Sequence, residues 1–128
     1  MSNGKKAVIV DDDAKVIMLL EKVLISLGFR VFSAIEGKRA LELVQEEKPD
    51  LLISDILQPG IDGVSLCQWV KNHHEFEDLK IILMTGVYKQ ASFKTQMDCR
   101  PDAFIEKPLE VGKLTDLVKR EFKIQNSG

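Results

Sequence analysis

The sequence predicts an α/β fold, a doubly wound five-stranded parallel sheet with five helices on its two faces. Apolar runs of strand length alternate with segments of helical period along the whole chain. The runs are apolar at consecutive positions, which is typical of parallel strands that are covered on both faces. The connections between the runs and the helical segments are short, as expected for this architecture.

The five predicted strands each end at a polar or turn-forming residue. They cover residues 7–10, 29–33, 51–53, 81–84 and 103–105. Four of the predicted helices cover residues 16–27, 39–47, 88–97 and 114–122, and the one at 88–97 has little apolar patterning. The third helix in chain order begins with the apolar residues Val64, Leu66, Cys67 and Val70. Gly28 is a candidate stop for the first helix, and Pro49 closes the second.

Composition supports a single globular domain over residues 1–128, with a folded core of about 5–124 because chain ends commonly fray. The net charge is −2, so we predict no direct nucleic-acid binding by this domain. No apolar window approaches the roughly 20 residues that a membrane helix needs, so no membrane association is expected. Cys67 and Cys99 show no ligand-like spacing, and we predict buried free thiols in a reducing cytoplasm.

Polar side chains stand where four of the five predicted strands finish. These residues are Asp11, Asp12, Asp55, Thr85 and Lys107. In open α/β sheets, ligand sites form outside the carboxyl ends of the strands, so we expect these side chains to converge on one crevice. Clustered carboxylates repel one another unless a cation joins them, and hard oxygen ligands favour Mg²⁺.

The chemistry of such a group is phosphoryl transfer to an aspartate. A carboxylate can attack phosphorus and form an acyl phosphate. The charge on the transferring group needs a cation and hydrogen-bond donors around it, which Lys107 and the Thr85 hydroxyl can supply. The strand-end residues therefore predict metal-assisted phosphorylation of one aspartate.

Five segments of the chain resemble the receiver domain of bacterial response regulators, in order and at similar spacing. They are residues 8–13, 49–55, 59–63, 81–86 and 102–108. The resemblance implies a flavodoxin-like fold with strand order 2-1-3-4-5. It also implies a signalling switch in a two-component phosphorelay that catalyses only its own phosphorylation and dephosphorylation.

The resemblance also assigns roles to individual residues. Asp55 is the implied phosphorylation site, with phosphohistidine of a histidine kinase or phosphotransfer protein as donor. Asp12 would hold Mg²⁺ directly, Asp11 mainly through water, and Asp55 and the backbone carbonyl of Leu57 would complete the protein's ligands. Thr85 and Lys107 would each contact a phosphoryl oxygen, and the Lys107–Pro108 peptide would be cis.

Phe104 is the implied switch aromatic, which rotates inward when Thr85 moves towards the phosphoryl group. The surface around the predicted fourth helix, fifth strand and fifth helix would then change. Many family members have tyrosine at this position and alanine where this chain has Gly86, so a phenol-based output contact is absent here. Leu57 and Val87 flank the expected water path and are apolar, which predicts a long-lived phosphorylated form.

Other chemistry-bearing residues have simpler interpretations. Asp13 is predicted to cap the first helix rather than bind metal, and Asp62 to serve in a turn. His73 and His74 are predicted to be solvated surface, and Trp69 a partly buried anchor of the third helix.

Two other functions are weighed against the receiver. A haloacid-dehalogenase-like phosphatase would need a second acid two residues after Asp55, where Leu57 stands. A pseudo-receiver scaffold would be expected to lack an acid, the threonine or the lysine, and none is missing. The sequence leaves open the downstream target, a phosphorylation-linked dimer, and whether the domain acts alone or within a longer regulator or hybrid kinase.

Overall fold

The computed structural model describes residues 4–56, 60–86 and 99–124. Five parallel strands form one sheet in the order β2-β1-β3-β4-β5, as predicted. The strands are β1 (Lys6–Val10), β2 (Arg30–Ala34), β3 (Leu51–Asp55), β4 (Lys80–Gly86) and β5 (Ala103–Lys107). The helices in the described residues are α1 (Ala14–Ser26), α2 (Gly37–Glu47), α3 (Gly63–Lys71) and α4 (Val111–Phe122).

The predicted boundaries are close to the observed ones; the largest difference is at the start of the last helix, which begins at Val111 rather than at residue 114. The fourth strand continues through Thr85 to Gly86, and the fifth to Lys107, because both pair with each other beyond their apolar runs. The fourth predicted helix, 88–97, lies outside the described residues. Gly28 has φ of 94° and ends α1, as its position after the helical pattern predicted. No described helix has the length and apolarity that crossing a membrane requires.

Each face of the sheet carries its own apolar core. The face covered by α1 and α4 buries Ile9, Ile53, Met84 and Ile105 among others. The opposite face, covered by α2 and α3, buries Val8, Leu52 and Leu83. Successive residues of a strand point to opposite faces, so the central strands must be apolar at consecutive positions. This requirement produced the continuous apolar runs seen in the sequence.

The prediction that Cys67 and Cys99 are free thiols is wrong, although both residues are buried as expected. They form a disulfide bond across 32 residues of sequence, with the two Cα atoms 6.2 Å apart. The helical phase of α3 turns Cys67 inward against the sheet, and the segment that leads into β5 brings Cys99 to the same place. A distance of that kind depends on how the elements pack, so the spacing of the cysteines in the sequence could not reveal it.

Candidate phosphoacceptor and metal site

Four of the five strand-end residues predicted to converge meet at the carboxyl edge of the sheet: Asp11, Asp12, Asp55 and Lys107. Asp55 is the last residue of β3, Lys107 is the last residue of β5, and Asp11 directly follows β1. Asp55 is paired with Met84 and Lys107 with Gly86 in the register of the sheet. By strand alternation, Asp55 and Lys107 continue the row of Ile53 and Ile105 on the α1 and α4 face.

The ammonium of Lys107 lies between the carboxylates of Asp11 and Asp55. Its Nζ atom donates to Oδ2 of Asp11 at 2.6 Å and to Oδ2 of Asp55 at 3.0 Å. Charge-assisted hydrogen bonds of this kind are stronger than neutral ones, and they hold the side chains in place. The ammonium therefore lies beside the carboxylate oxygen that would carry a phosphoryl group.

Asp11 is the most deeply placed acid of the site, with no exposed surface. One of its oxygens accepts the hydrogen bond from Lys107, and the other accepts the backbone N–H of Asp13 at 2.8 Å. Burial raises the pKa of the Asp11 carboxyl, and the hydrogen bonds from Lys107 and Asp13 offset part of that rise. Burial lowers the pKa of Lys107, but its contacts with Asp11 and Asp55 outweigh burial and leave that pKa raised.

The charges at this edge do not balance within the protein. Asp11, Asp12 and Asp55 each offer a carboxylate oxygen, and these oxygens lie within 4.8 Å of one another. Lys107 is the one cation that pairs with them among the described residues. Three carboxylates and one ammonium leave an excess charge of about −2, which a divalent cation would neutralise. The donor set is all oxygen, as Mg²⁺ prefers.

Thr85 and Phe104 lie on the other face of the sheet from Asp55 and Lys107. Thr85 follows Leu83 by two residues, and Leu83 is the register partner of Phe104, so alternation places all three side chains on the α2 and α3 face. Thr85 is 2% exposed, and its hydroxyl has no hydrogen-bond partner among the described residues. Phe104 is half-buried and packs against the core of that face. A buried hydroxyl without a partner is costly, and Thr85 lies one strand from Asp55.

Replacing Thr85 by valine is expected to stabilise the protein by about 1 kcal/mol, because an unsatisfied buried hydroxyl becomes a methyl group of similar shape. The same change should slow phosphorylation if Thr85 has the role that the resemblance implies, as a donor to a phosphoryl oxygen. Urea denaturation and the rate of labelling by acetyl phosphate measure the two effects. Thr115→Val, on α4, is the matched control. A Thr85→Val protein that is less stable than the parent would contradict the interpretation that the Thr85 hydroxyl is buried without a hydrogen-bond partner.

The remaining predicted residues fall into three groups. Asp13 caps α1 by accepting from the N–H of Lys15, as predicted, and is not among the clustered carboxylates. The Lys107–Pro108 peptide is cis, as the resemblance implied. The carbonyl of Leu57 was predicted to bind the metal, and Leu57 and Val87 were predicted to flank the water path. Both residues lie outside the described residues.

Several residues in α3 and at its two ends have roles that were predicted only in part. Asp62 accepts from the N–H of Ser65 and caps α3, so its turn role is a capping role. Trp69 is the predicted anchor of this helix, and its ring stacks on His73 with centroids 3.9 Å apart. His74 is 90% exposed, whereas His73 is half-buried against Trp69. The prediction of solvated surface therefore holds for His74 and is wrong for His73, because the turn after α3 folds His73 back onto the helix.

Gly63 is a residue of the site that sequence reasoning missed. A Cβ atom added there would lie 2.3 Å from the backbone oxygen of Asp55 and 3.0 Å from the Cα of Ile56. The N–H of Gly63 also donates to the carbonyl of Ile56 at 2.9 Å. The start of α3 thus rests directly on the chain that carries the candidate phosphoacceptor. Its place at the end of segment 59–63, which resembles the receiver family, was a sequence signal, but no role was assigned to Gly63 from it.

Comparison with known proteins identifies the class of protein to which this sheet and its acidic edge belong. The model of the response regulator receiver domain family matches residues 7–119. The chain therefore belongs to the receiver domain family of response regulators.

Proteins similar to this chain include regulators and receiver domains from several organisms. The chain is 31% identical over 118 residues to the transcriptional regulatory protein GltR of Pseudomonas aeruginosa, covering 92% of this chain and 49% of that protein. The chain spans about half the length of the curated relatives it matches. A crystal structure of a response regulator from Chloroflexus aurantiacus has a TM-score of 0.84 and 34% identity, with 93% of this chain and 98% of that chain covered.

The receiver domain of a signal transduction histidine kinase from Syntrophus aciditrophicus is a second similar structure. It has a TM-score of 0.84 and 29% identity, with 98% of this chain and 97% of that chain covered. Receiver domains similar to this one therefore occur both in response regulators and in histidine kinases.

Proposed function

We propose that Asp55 accepts a phosphoryl group from a phosphohistidine and that the phosphorylated form is the signalling state. The observation that carries this proposal is the bridging position of Lys107, whose ammonium contacts Asp11 and Asp55 at once. The ammonium at Oδ2 of Asp55 holds this carboxylate, the proposed nucleophile towards phosphorus, at the edge of the site and can pair with an incoming phosphoryl oxygen. The side chain of Asp55 is 17% exposed, so a phosphoryl donor can reach it from solvent.

Asp11, Asp12 and Asp55 are the residues that would hold Mg²⁺, together with the Leu57 carbonyl. The metal would neutralise charge on the phosphoryl oxygens. Lys107 would hold a second phosphoryl oxygen after exchanging its contact with Asp55 for one with the new group. Thr85 would donate its unpaired hydroxyl proton to a third oxygen, which gives the buried group the partner that it lacks.

The movement of Thr85 towards the phosphoryl group would open space on the face that Phe104 shares. Phe104 is half-buried and lines a groove between β5 and α4, together with Glu106, Lys113, Asp116 and Arg120. Alternating charges along this groove suit a protein partner more than a nucleic acid. Phosphorylation would therefore change the surface that this groove presents, by shifting the population of two arrangements of Phe104.

The proposed partners and location follow from the same chemistry. The phosphoryl donor would be a histidine kinase or a phosphotransfer protein, and the domain would work in the cytoplasm. The chemistry of the domain itself would be limited to its own phosphorylation and dephosphorylation. A phosphorylation-linked dimer, the downstream target and a long phosphoryl lifetime stay predictions.

The function is tested by labelling the full chain with acetyl phosphate in Mg²⁺ or in a chelator. We expect a mass increase of one phosphoryl group with Mg²⁺ and almost none without it, because the metal offsets the excess charge at the site. Equal labelling in both buffers would contradict the proposal. Adding Mg²⁺ to the unphosphorylated protein should raise its melting temperature, since a ligand that binds only the folded state stabilises it.

A pair of neighbouring variants separates metal binding from the loss of a charge. Asp12→Asn should abolish the rise in melting temperature with Mg²⁺, because it removes an exposed carboxylate of the cluster. Asp13→Asn removes the same charge one residue later but keeps the α1 cap, since asparagine caps as well as aspartate. The Asp13→Asn protein should therefore respond to Mg²⁺ like the parent.

A further inference from the structure

We propose that the Cys67–Cys99 disulfide is a site of reversible thiol–disulfide exchange, opened by a small anionic thiol that attacks Cys99. Only Cys99 of the pair lines a surface groove, which has a volume of about 540 Å³. The other described residues that line this groove are Gln68, Lys71, Asn72 and Arg100. Cys67 has no exposed surface, whereas Cys99 keeps 5% of its surface exposed and borders the groove.

The charge of the groove selects the kind of thiol that would enter it. Lys71 and Arg100 are both exposed and flank Cys99 on two elements, α3 and the segment before β5. Their cations attract an anion and favour the thiolate form, which is the attacking species. Asp102 offsets part of the Lys71 charge through an ion pair at 3.8 Å, so Arg100 should supply more of the attraction for a carboxylate. The volume is in the range of small-molecule sites and admits a thiol-containing tripeptide.

The exchange proceeds in two balanced steps. The incoming thiolate attacks Sγ of Cys99, the Cys67–Cys99 bond breaks, and Cys67 leaves as a thiolate that takes a proton from water. A second thiolate then attacks the outer sulfur of the mixed disulfide and releases Cys99 as a thiolate. Two external thiols become one external disulfide, and the protein gains two thiols. The reverse reaction uses the external disulfide as the oxidant.

The fold has contacts that keep β5 in place when this bond opens. The N–H of Asp102 donates to the carbonyl of Ile81 at 2.8 Å, and the Asp102 carboxylate accepts the N–H of Ile81 at 2.7 Å. These bonds attach the start of β5 to β4 without help from the cysteines. Opening the disulfide therefore releases the link between α3 and residues 99–100 and leaves the sheet intact. Disulfides in reducing compartments are typically of this transient kind.

The first experiment treats the oxidised full chain with reduced glutathione under native conditions, and counts free thiols by alkylation and intact mass. We expect both thiols to appear without denaturant. In Cys67→Ser, glutathione disulfide should add one glutathione to Cys99, whereas in Cys99→Ser the buried Cys67 should take up little. Circular dichroism confirms that each variant is folded.

The role of the two cations in the groove is tested by replacing them with neutral residues. Lys71→Gln combined with Arg100→Gln should slow the attack of glutathione by roughly tenfold, because the attraction for its carboxylates is lost. Lys38→Gln removes an exposed lysine of α2 and should leave the rate of attack by glutathione unchanged. With 2-mercaptoethanol, which has no carboxylate, the double variant should react at a rate much closer to that of the parent.

Three results would overturn the proposal. The bond could resist glutathione until denaturant is added, which would make it a purely structural crosslink. The two cysteines could be modified equally in the serine variants, or the groove variant could react at the parental rate. The wild-type measurement stands without any variant, and none of these results depends on phosphorylation of Asp55.

Discussion

Replacing Asp55 by asparagine is expected to remove phosphoryl labelling by acetyl phosphate, lowering the rate by at least about two orders of magnitude. An amide oxygen is a far weaker nucleophile towards phosphorus than a carboxylate. The side chain keeps its shape, and the amide oxygen can still accept the hydrogen bond that Lys107 makes to Oδ2. The loss would therefore reflect missing chemistry rather than a disturbed fold, which circular dichroism checks.

Asp62→Asn is the matched control for this loss. It removes one negative charge seven residues along the chain from Asp55 in the same region of the fold. Asp62 caps α3, and asparagine caps equally well, so the variant should fold and label like the parent. Full labelling of Asp55→Asn would assign the phosphoacceptor to another residue. Loss of labelling in both variants would point to a general effect of charge.

Replacing Gly63 by alanine is expected to destabilise the protein by about 1–3 kcal/mol, the range found for overpacking. The added Cβ would lie 2.3 Å from the backbone oxygen of Asp55, and neither backbone can move without shifting α3 or the end of β3. Labelling of Asp55 should slow for the same reason, because small displacements of a reacting group cost rate. Urea denaturation and the initial rate of labelling measure the two effects.

Gly112→Ala serves as the control because a Cβ at Gly112 meets nothing within 4 Å. Gly112 lies in α4, where alanine has the better helix propensity, so this change should stabilise by up to about 1 kcal/mol. Opposite signs for the two glycines would show that the close approach at Gly63 matters rather than the substitution itself. If Gly63→Ala matched the parent in both measurements, α3 would not be what positions Asp55.

Several features of this protein could be predicted from the sequence because they depend on local patterns. The continuous apolar runs required strands buried on both faces, and their order required a parallel sheet with ligand chemistry at its carboxyl edge. Asp11, Asp12, Asp55 and Lys107 were found because each stands where a run ends. The cap at Asp13 followed from the helical pattern after it.

Other features belong to the tertiary structure because they join residues that are distant in the chain. The disulfide unites Cys67 with Cys99 only because α3 and the entry to β5 pack on one face. The close approach of Gly63 to the backbone of Asp55 likewise depends on how the start of α3 packs against the end of β3. The unpaired hydroxyl of Thr85 and the ammonium of Lys107 between two acids likewise result from the register of the sheet. Residue order sets which groups reach an edge, whereas contact distances of a few ångströms are set by packing.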